Sequence, residues 1–253
     1  MTTLKEQGFH MPGEWHPHKR CWMAWPGNEA GYSGRFAEAR QASARVARAI
    51  AQFEPVTILA NDVDVAGAQA LCGAGVTVQD APIDDGWFRD NGPSFVINAE
   101  GGLAGVNWGF NGWGCKPGIP YERDARVTRL ILEREGIACI DAPLILEGGS
   151  FHVDGEGTLI TTEQCLLNPN RNPRLSRREI EVHLENYLGV DKVIWLKQGV
   201  VDDITDGHID LLAAFVAPGT VLALACDDPA DANYPAIAEN LEILRSAKDA
   251  RGR

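Results

Sequence analysis

The sequence predicts an α/β fold built on a repeated strand–strand–helix–strand unit. Two observations carry this: three hairpin signals recur at nearly even spacing, and the first two each lead into a helical pattern and a lone strand. The hairpins begin at Ser94 (SFVINAEGGLAGVNW, turning at Gly101–Gly102), at Phe151 (FHVDGEGTLITTEQCLL, turning on DGEG) and at Asp210 (DLLAAFVAPGTVLALAC, turning on PG). Their starts lie roughly 60 residues apart, and self-similarity at a fixed period marks a repeated supersecondary unit.

Ahead of the hairpins, CWMAW (21–25) reads as a short buried strand. Arg35 to Phe53 shows helical spacing, with Phe36, Ala39, Ala42, Val46, Ile50 and Phe53 near one stripe. Pro55 ends it and VTILA follows as a strand. The first hairpin leads to a helix over Tyr121–Glu135 and the strand IACIDAP, the second to a helix over Ser176–Leu188 and the strand KVIWL. The third leads to a helix over Tyr234–Ala247 with no strand after it. A closed ring of such units needs that strand, so the sequence reads as one domain, 1–253, present only in part and lacking its C-terminal portion.

Composition narrows the functions. With 45% hydrophobic residues the chain can bury a real core, and Lys+Arg 23 against Asp+Glu 35 give a formal charge of -12. That balance opposes nonspecific nucleic-acid binding and attracts cations, although charge alone favours the plainer reading of an acidic soluble surface. No basic-then-apolar leader and no membrane-length apolar run occurs, so a cytoplasmic protein is expected. The six cysteines are scattered without a CxxC pair, which excludes a zinc ribbon and suits reduced thiols. Several sit in apolar runs, where an inert buried thiol is the default. His16 and His18 in WHPHK offer weak metal ligands, yet a loop histidine beside proline is more often surface or packing, and no metal is expected.

An acidic cluster precedes each hairpin: DDGWFRDNGPS with Asp90, LEGGS with Glu147, and TDGHID with His208 and Asp210. If the units surround an axis, these carboxylates and the imidazole converge there. Three acids in one pocket repel unless a cation enters, and a planar guanidinium suits carboxylates through paired charge-assisted hydrogen bonds. On an extended strand, His208 and Asp210 project to one side, so one holds substrate while the other moves protons. Gly148–Gly149 and Gly207 suit close backbone approach or positive φ, and equally ordinary turns. Trp87 suits stacking on a flat cation and equally a core position. The same two readings stand for Trp108, Phe110 and Trp113 in NWGFNGWG.

Together MPGEWHPHKRCWMAWP, WFRDNGPSFV, NWGFNGWGCK, LEGGSFHVDGEGTLITTEQCLLNPNRNP and TDGHID resemble the agmatine deiminases, members of the guanidine-modifying pentein superfamily that also holds a bacterial type of peptidylarginine deiminase. The resemblance spans nearly the whole chain. It implies a pseudo-fivefold propeller of strand–strand–helix–strand units, and hydrolysis of agmatine to N-carbamoylputrescine and ammonia on a route to putrescine, without metal or organic cofactor. It implies that Asp90 and Asp210 hold the guanidinium, that Glu147 supports the site near the histidine, and that Trp87 lines the pocket. His208 would protonate departing ammonia and then activate water. Dimers are common among such proteins, so a homodimer is among the expectations.

The resemblance also implies a nucleophilic cysteine in a glycine-rich histidine–cysteine motif near the C-terminus. Nothing like GGGxxHC occurs in 1–253, and Cys226 falls in a predicted hairpin strand, so the chain is expected to end before its nucleophile and to be inactive alone. Ile204, in VVDDITDGHID, stands where some relatives carry an acid that meets agmatine's distal amine. Alternatives are a non-catalytic guanidinium binder, and a deiminase of peptidylarginine or another guanidino compound. A metallohydrolase is the remaining one.

Overall fold

Five consecutive buried residues, Val56–Ala60, make the middle strand of a parallel sheet. In the computed structural model, which describes residues 2–253, this sheet belongs to one of two compact units, comprising Pro17–Asn91 and Pro120–Val127. Strands β1 (Cys21–Ala24), β2 (Val56–Ala60) and β3 (Val76–Asp80) pair in that order and in parallel, with Cys21 opposite Val56 and Val56 opposite Val76. Parallel neighbours need crossovers, supplied by α1 (Phe36–Ile50) and α2 (Asp62–Cys72). VTILA is continuously apolar because neither face of β2 meets water. A short helix, α3 (Phe88–Asn91), closes the run.

The face that α1 buries differs from the predicted stripe. Ala44 and Ala47 are sealed, whereas Val46 is half-exposed and Phe53, beyond the helix, is 89% exposed. Small residues let the helix backbone approach the sheet closely. Of the predicted stripe, Ile50 packs against the core, Val46 falls outside the contact, and Phe36 lies under the Arg40 guanidinium, 4.2 Å from its ring centroid. Bulk, used as the guide to the stripe, pointed about one residue's turn away from the alanine seam.

The second unit comprises residues up to His16, Gly92–Ile119 and Thr128–Arg253. Here the repeat is visible. β4 (Ser94–Ile97) pairs antiparallel with β5 (Leu103–Gly109), and β6 (Ala138–Ile145) joins β5 in parallel. Between β5 and β6 come a kinked turn, α4 (Gly112–Cys115), and the helix α5 (Val127–Glu135). The order recurs as β7 (Phe151–Val153) antiparallel to β8 (Thr158–Thr162), a turn of helix α6 (Glu163–Leu166), α7 (Arg177–Leu188), and β9 (Lys192–Leu196) parallel to β8. Ser176 starts α7 with a full capping box, its hydroxyl accepting the Glu179 N–H while the Glu179 carboxylate accepts the Ser176 N–H. Phe151, Leu159, Ile180, Leu184 and Leu188 are sealed in the shared core.

A third hairpin, β10 (Ala213–Ala217) with β11 (Thr220–Ala223), is followed by α8 (Tyr234–Ser246). It starts later than the sequence predicted: Ile209–Leu211 is a 3-10 turn and the strand opens only at Ala213. Cys226 correspondingly lies past β11 rather than inside a strand. No helix among the described residues is long and apolar enough to cross a membrane.

The alanine seam has a direct check. Ala47→Leu should lower the unfolding free energy by about 1–3 kcal/mol through overpacking. Phe53→Ala should change it by less than about 0.5 kcal/mol. Urea denaturation followed by tryptophan fluorescence distinguishes them, and the reverse ranking would restore the predicted stripe.

Candidate active site

Glu147 has no solvent-exposed surface, and the Arg171 side chain is equally sealed. A carboxylate in such a position needs a cation, and Arg171 Nε–H donates to Glu147 Oε1 at 2.8 Å. The rest of the guanidinium is also engaged. Its Nη1 donates to Asp206 Oδ2 at 2.5 Å and to Asn170 Oδ1 at 2.8 Å, and its Nη2 donates to the Thr205 carbonyl at 2.8 Å. Asp206 further accepts Lys116 Nζ at 2.6 Å and Asn170 Nδ2 at 2.8 Å. These bonds hold its pKa below the usual carboxylate range even though burial opposes ionisation. Three separated segments, NWGFNGWGCK, LEGG and NPNRNP, are thereby fastened to the loop TDGHID.

That loop carries His208. Asp203 folds it from within: its Oδ2 accepts the Gly207 N–H at 2.8 Å and the His208 N–H at 3.3 Å, while Thr205 Oγ1 donates to the same oxygen at 2.6 Å. Thr162 Oγ1, at the end of β8, donates to the Gly207 carbonyl at 2.6 Å. Gly207 has φ +94, and a Cβ on the facing Gly199 would overlap the Gly207 Cα, so both glycines are required here by conformation and by close approach. Gly148–Gly149 open the 3-10 turn that follows Glu147.

The imidazole of His208 is 2% exposed. Ligand-capable atoms of Glu147, Cys165 and His208 all lie within 4.8 Å of one another. Burial pushes the His208 pKa below its ordinary value, against the Glu147, Asp210 and Asp203 carboxylates, which pull it upward. Asp210 is exposed and lies in the 3-10 turn. The shared-face expectation from strand alternation therefore does not describe this segment: His208 is the cap residue before that turn, and backbone helicity replaces the period of two. Asp210 still acts on His208 through its charge.

Trp87 and Asp90 belong to the other unit. Trp87 is 48% exposed and its ring stacks on Tyr32, with centroids 6.2 Å apart and planes 6° from parallel. Asp85 fixes the approach to it, accepting the Gly86 N–H at 2.7 Å and the Tyr32 hydroxyl at 3.1 Å. Asp90 lies in α3 and is partly buried, and its N–H donates to the Trp87 carbonyl at 3.1 Å. Asp124 braces the loop by accepting the Asp84 and Asp85 N–H groups, and burial pushes its pKa up to about 7. The aromatic run NWGFNGWG proves to be core: Trp108, Phe110 and Trp113 are buried, with Trp108 Nε1–H donating to Ser94 Oγ at 2.9 Å.

Sequence reasoning passed over Arg171, Asp203, Asp85 and Cys165 as site components. Arg171 had one usable signal, an arginine set between asparagines and prolines with no acid within seven residues on either side, hence one whose partner must come from elsewhere in the chain.

The sequence and the fold have counterparts among known proteins. The sequence profile described as Porphyromonas-type peptidyl-arginine deiminase matches residues 10–253. A Legionella pneumophila relative is 50% identical over 254 residues, covering 100% of this chain and 73% of its own length. An agmatine deiminase from Ectopseudomonas mendocina is 48% identical, at 100% and 70% coverage. A solved structure, described as the agmatine deiminase of Enterococcus faecalis catalyzing its reaction, has a TM-score of 0.95 and 40% identity, covering 100% of this chain and 70% of that one. The chain belongs to the Porphyromonas-type peptidyl-arginine deiminase family, alongside these agmatine deiminases.

Two outcomes follow from the cluster. Arg171→Met strands a buried carboxylate and should cost about 3–5 kcal/mol in urea denaturation, with part recovered when Glu147→Gln is added. His208, with a folded-state pKa below its ordinary 6.5, stays neutral inside while the unfolded chain takes up a proton. Its share of stability is therefore complete above that ordinary value and is lost as pH falls through the folded-state pKa. His208→Asn should flatten this part of the stability-versus-pH curve, whereas an unchanged slope would contradict the neutral assignment.

Proposed function

We propose that the protein is an agmatine deiminase, hydrolysing agmatine to N-carbamoylputrescine and ammonia. The observation that carries the reading is the sealed Glu147–His208 pair, with His208 biased toward its neutral form and Asp210 acting on it. The relatives named agmatine deiminase support the substrate.

In this reading Asp90 and Asp210 accept the guanidinium N–H groups, Trp87 lines the pocket, and Glu147 supports His208. A thiol attacks the guanidinium carbon and gives its proton to the neutral imidazole. That proton then leaves with ammonia as the carbon–nitrogen bond breaks, giving an amidino-thioether. His208 next takes a proton from water, whose oxygen displaces the thiolate. The reading assigns the thiolate to a cysteine in the family's histidine–cysteine setting and not to Cys165, whose fully buried side chain is part of the core.

The reading treats both compact units as parts of one guanidine-modifying domain of the pentein propeller type. It also takes the enzyme to be cytoplasmic and without affinity for nucleic acid, which six unpaired cysteines and the charge of -12 support, while a homodimer and a place on a route to putrescine come from the family resemblance alone.

The test is substrate binding and turnover on agmatine beside an arginine-containing peptide. Agmatine should bind in calorimetry, and Asp90→Asn or Asp210→Asn should each weaken binding roughly 10- to 100-fold, the loss of one charge-assisted partner. Where ammonia release is measured, His208→Ala should lower it by about 10²–10⁴. Binding of the peptide in preference to agmatine would move the assignment to peptidylarginine, and unaltered affinity in both Asp variants would remove the guanidinium clamp.

A further inference from the structure

At the start of the parallel sheet, three side chains of different chemistry meet outside the residues assigned above. Cys21 opens β1, and its N–H donates to the Pro55 carbonyl at 2.9 Å, fixing the thiol beside the end of the α1–β2 connection. Glu54 lies in that connection, its N–H donating to the Ile50 carbonyl at 3.2 Å. His18 approaches three residues ahead of Cys21. Cys21 Sγ is 3.1 Å from Glu54 Oε1, and His18 Nδ1 is 3.2 Å from the same oxygen. All three ligand atoms lie within 4.8 Å of one another.

These separations match what a small cation demands. Zinc binds nitrogen, sulfur and oxygen at about 2.0–2.3 Å in a tetrahedron, which sets its ligand atoms about 3.3–3.7 Å apart. The two Glu54 contacts, at 3.1 and 3.2 Å, need to open by only a few tenths of an ångström to reach that figure. A second observation points the same way: Glu54 Oε2 is buried and has no hydrogen-bond partner among the described residues. An acceptor left in that state is costly unless something electropositive reaches it. Hydrogen bonding among the three groups accounts for Oε1 and leaves Oε2 unexplained. The donor set, imidazole, thiol and carboxylate, suits a borderline ion of the zinc class, whereas magnesium and calcium take oxygen.

We propose that His18, Cys21 and Glu54 form a binding site for a divalent transition ion of the zinc type, with water in the fourth position. The metal replaces the thiol proton, which leaves to solvent, so the ion binds a thiolate. Its effect is to tie the segment entering β1 to the end of α1. Without the ion, burial and the Glu54 carboxylate push the Cys21 thiol up to about 11, so metal binding has to displace its proton. His18, assigned from sequence to surface or packing, becomes a ligand.

Cobalt(II) chloride titrated into the reduced, purified chain is the test, because cobalt reports both thiolate ligation and tetrahedral geometry in its absorption. One equivalent should produce a thiolate-to-cobalt charge-transfer band with visible d–d bands, and zinc should displace both. Cys21→Ser should abolish the charge-transfer band, and His18→Ala, at an exposed position, should weaken binding at least about tenfold. Cys165→Ala should leave the band in place, separating this site from the Glu147–Cys165–His208 cluster. A band that survives in Cys21→Ser, or no band in wild-type protein that is folded by circular dichroism, overturns the proposal.

Discussion

The second unit depends on one buried ion pair. Glu147 and Arg171 have both left water completely, which is unfavourable for each alone. Their mutual attraction is adequate only because the remaining guanidinium hydrogens also find oxygens, on Asn170, Thr205 and Asp206. Arg171, in the loop between α6 and α7, thus crosslinks the segment ahead of β7, through Glu147, to the loop before β10, through Asp206 and Thr205, and the position of His208 follows from it. Hydrophobic burial in the β7–β9 region makes the unit stable, but it does not by itself specify where an imidazole sits to within a fraction of an ångström. Directional bonds to a planar, always-charged group do.

Electrostatic balance around His208 follows from the same arrangement. Three carboxylates raise its proton affinity, while burial and the Arg171 charge lower it. Burial wins. An imidazole held neutral among acids is able to accept a proton, and the nearby negative charge stabilises the imidazolium once formed. Asp203 contributes twice, through charge and by folding the loop with bonds to Thr205, Gly207 and His208. Those bonds keep its own pKa low despite its burial.

Much of this was legible in the sequence where turn chemistry and apolar alternation agree. The hairpins at Ser94 and Phe151 and the strands after their helices were placed because glycine-rich turns flank β-branched runs. The strand VTILA stood out through its unbroken apolarity. α2 and β3 were not read, since Asp62–Cys72 lacks a clear one-sided stripe and Val76–Asp80 carries polar residues on a short edge. The HID segment was misread because alternation over three residues fits a strand and a 3-10 turn alike, and Asp203's backbone bonds decide between them. Arg171 was missed for a different reason. Its partners lie 24 and 35 residues away in the chain, at Glu147 and Asp206, and no local pattern encodes a contact of that range.

Arg171 also makes the protein an internal complex of the very functional group its family handles. The molecule carries a resident guanidinium, covalently tethered and screened from exchange by complete burial. Guanidinium chloride is then no neutral denaturant here, because the free ion resembles the tether's head group and competes for Glu147 and Asp206 as soon as the loop opens. Unfolding in that salt would begin with surrender of the crosslink, well ahead of the core, while urea, which carries no charge, would find the two failing together.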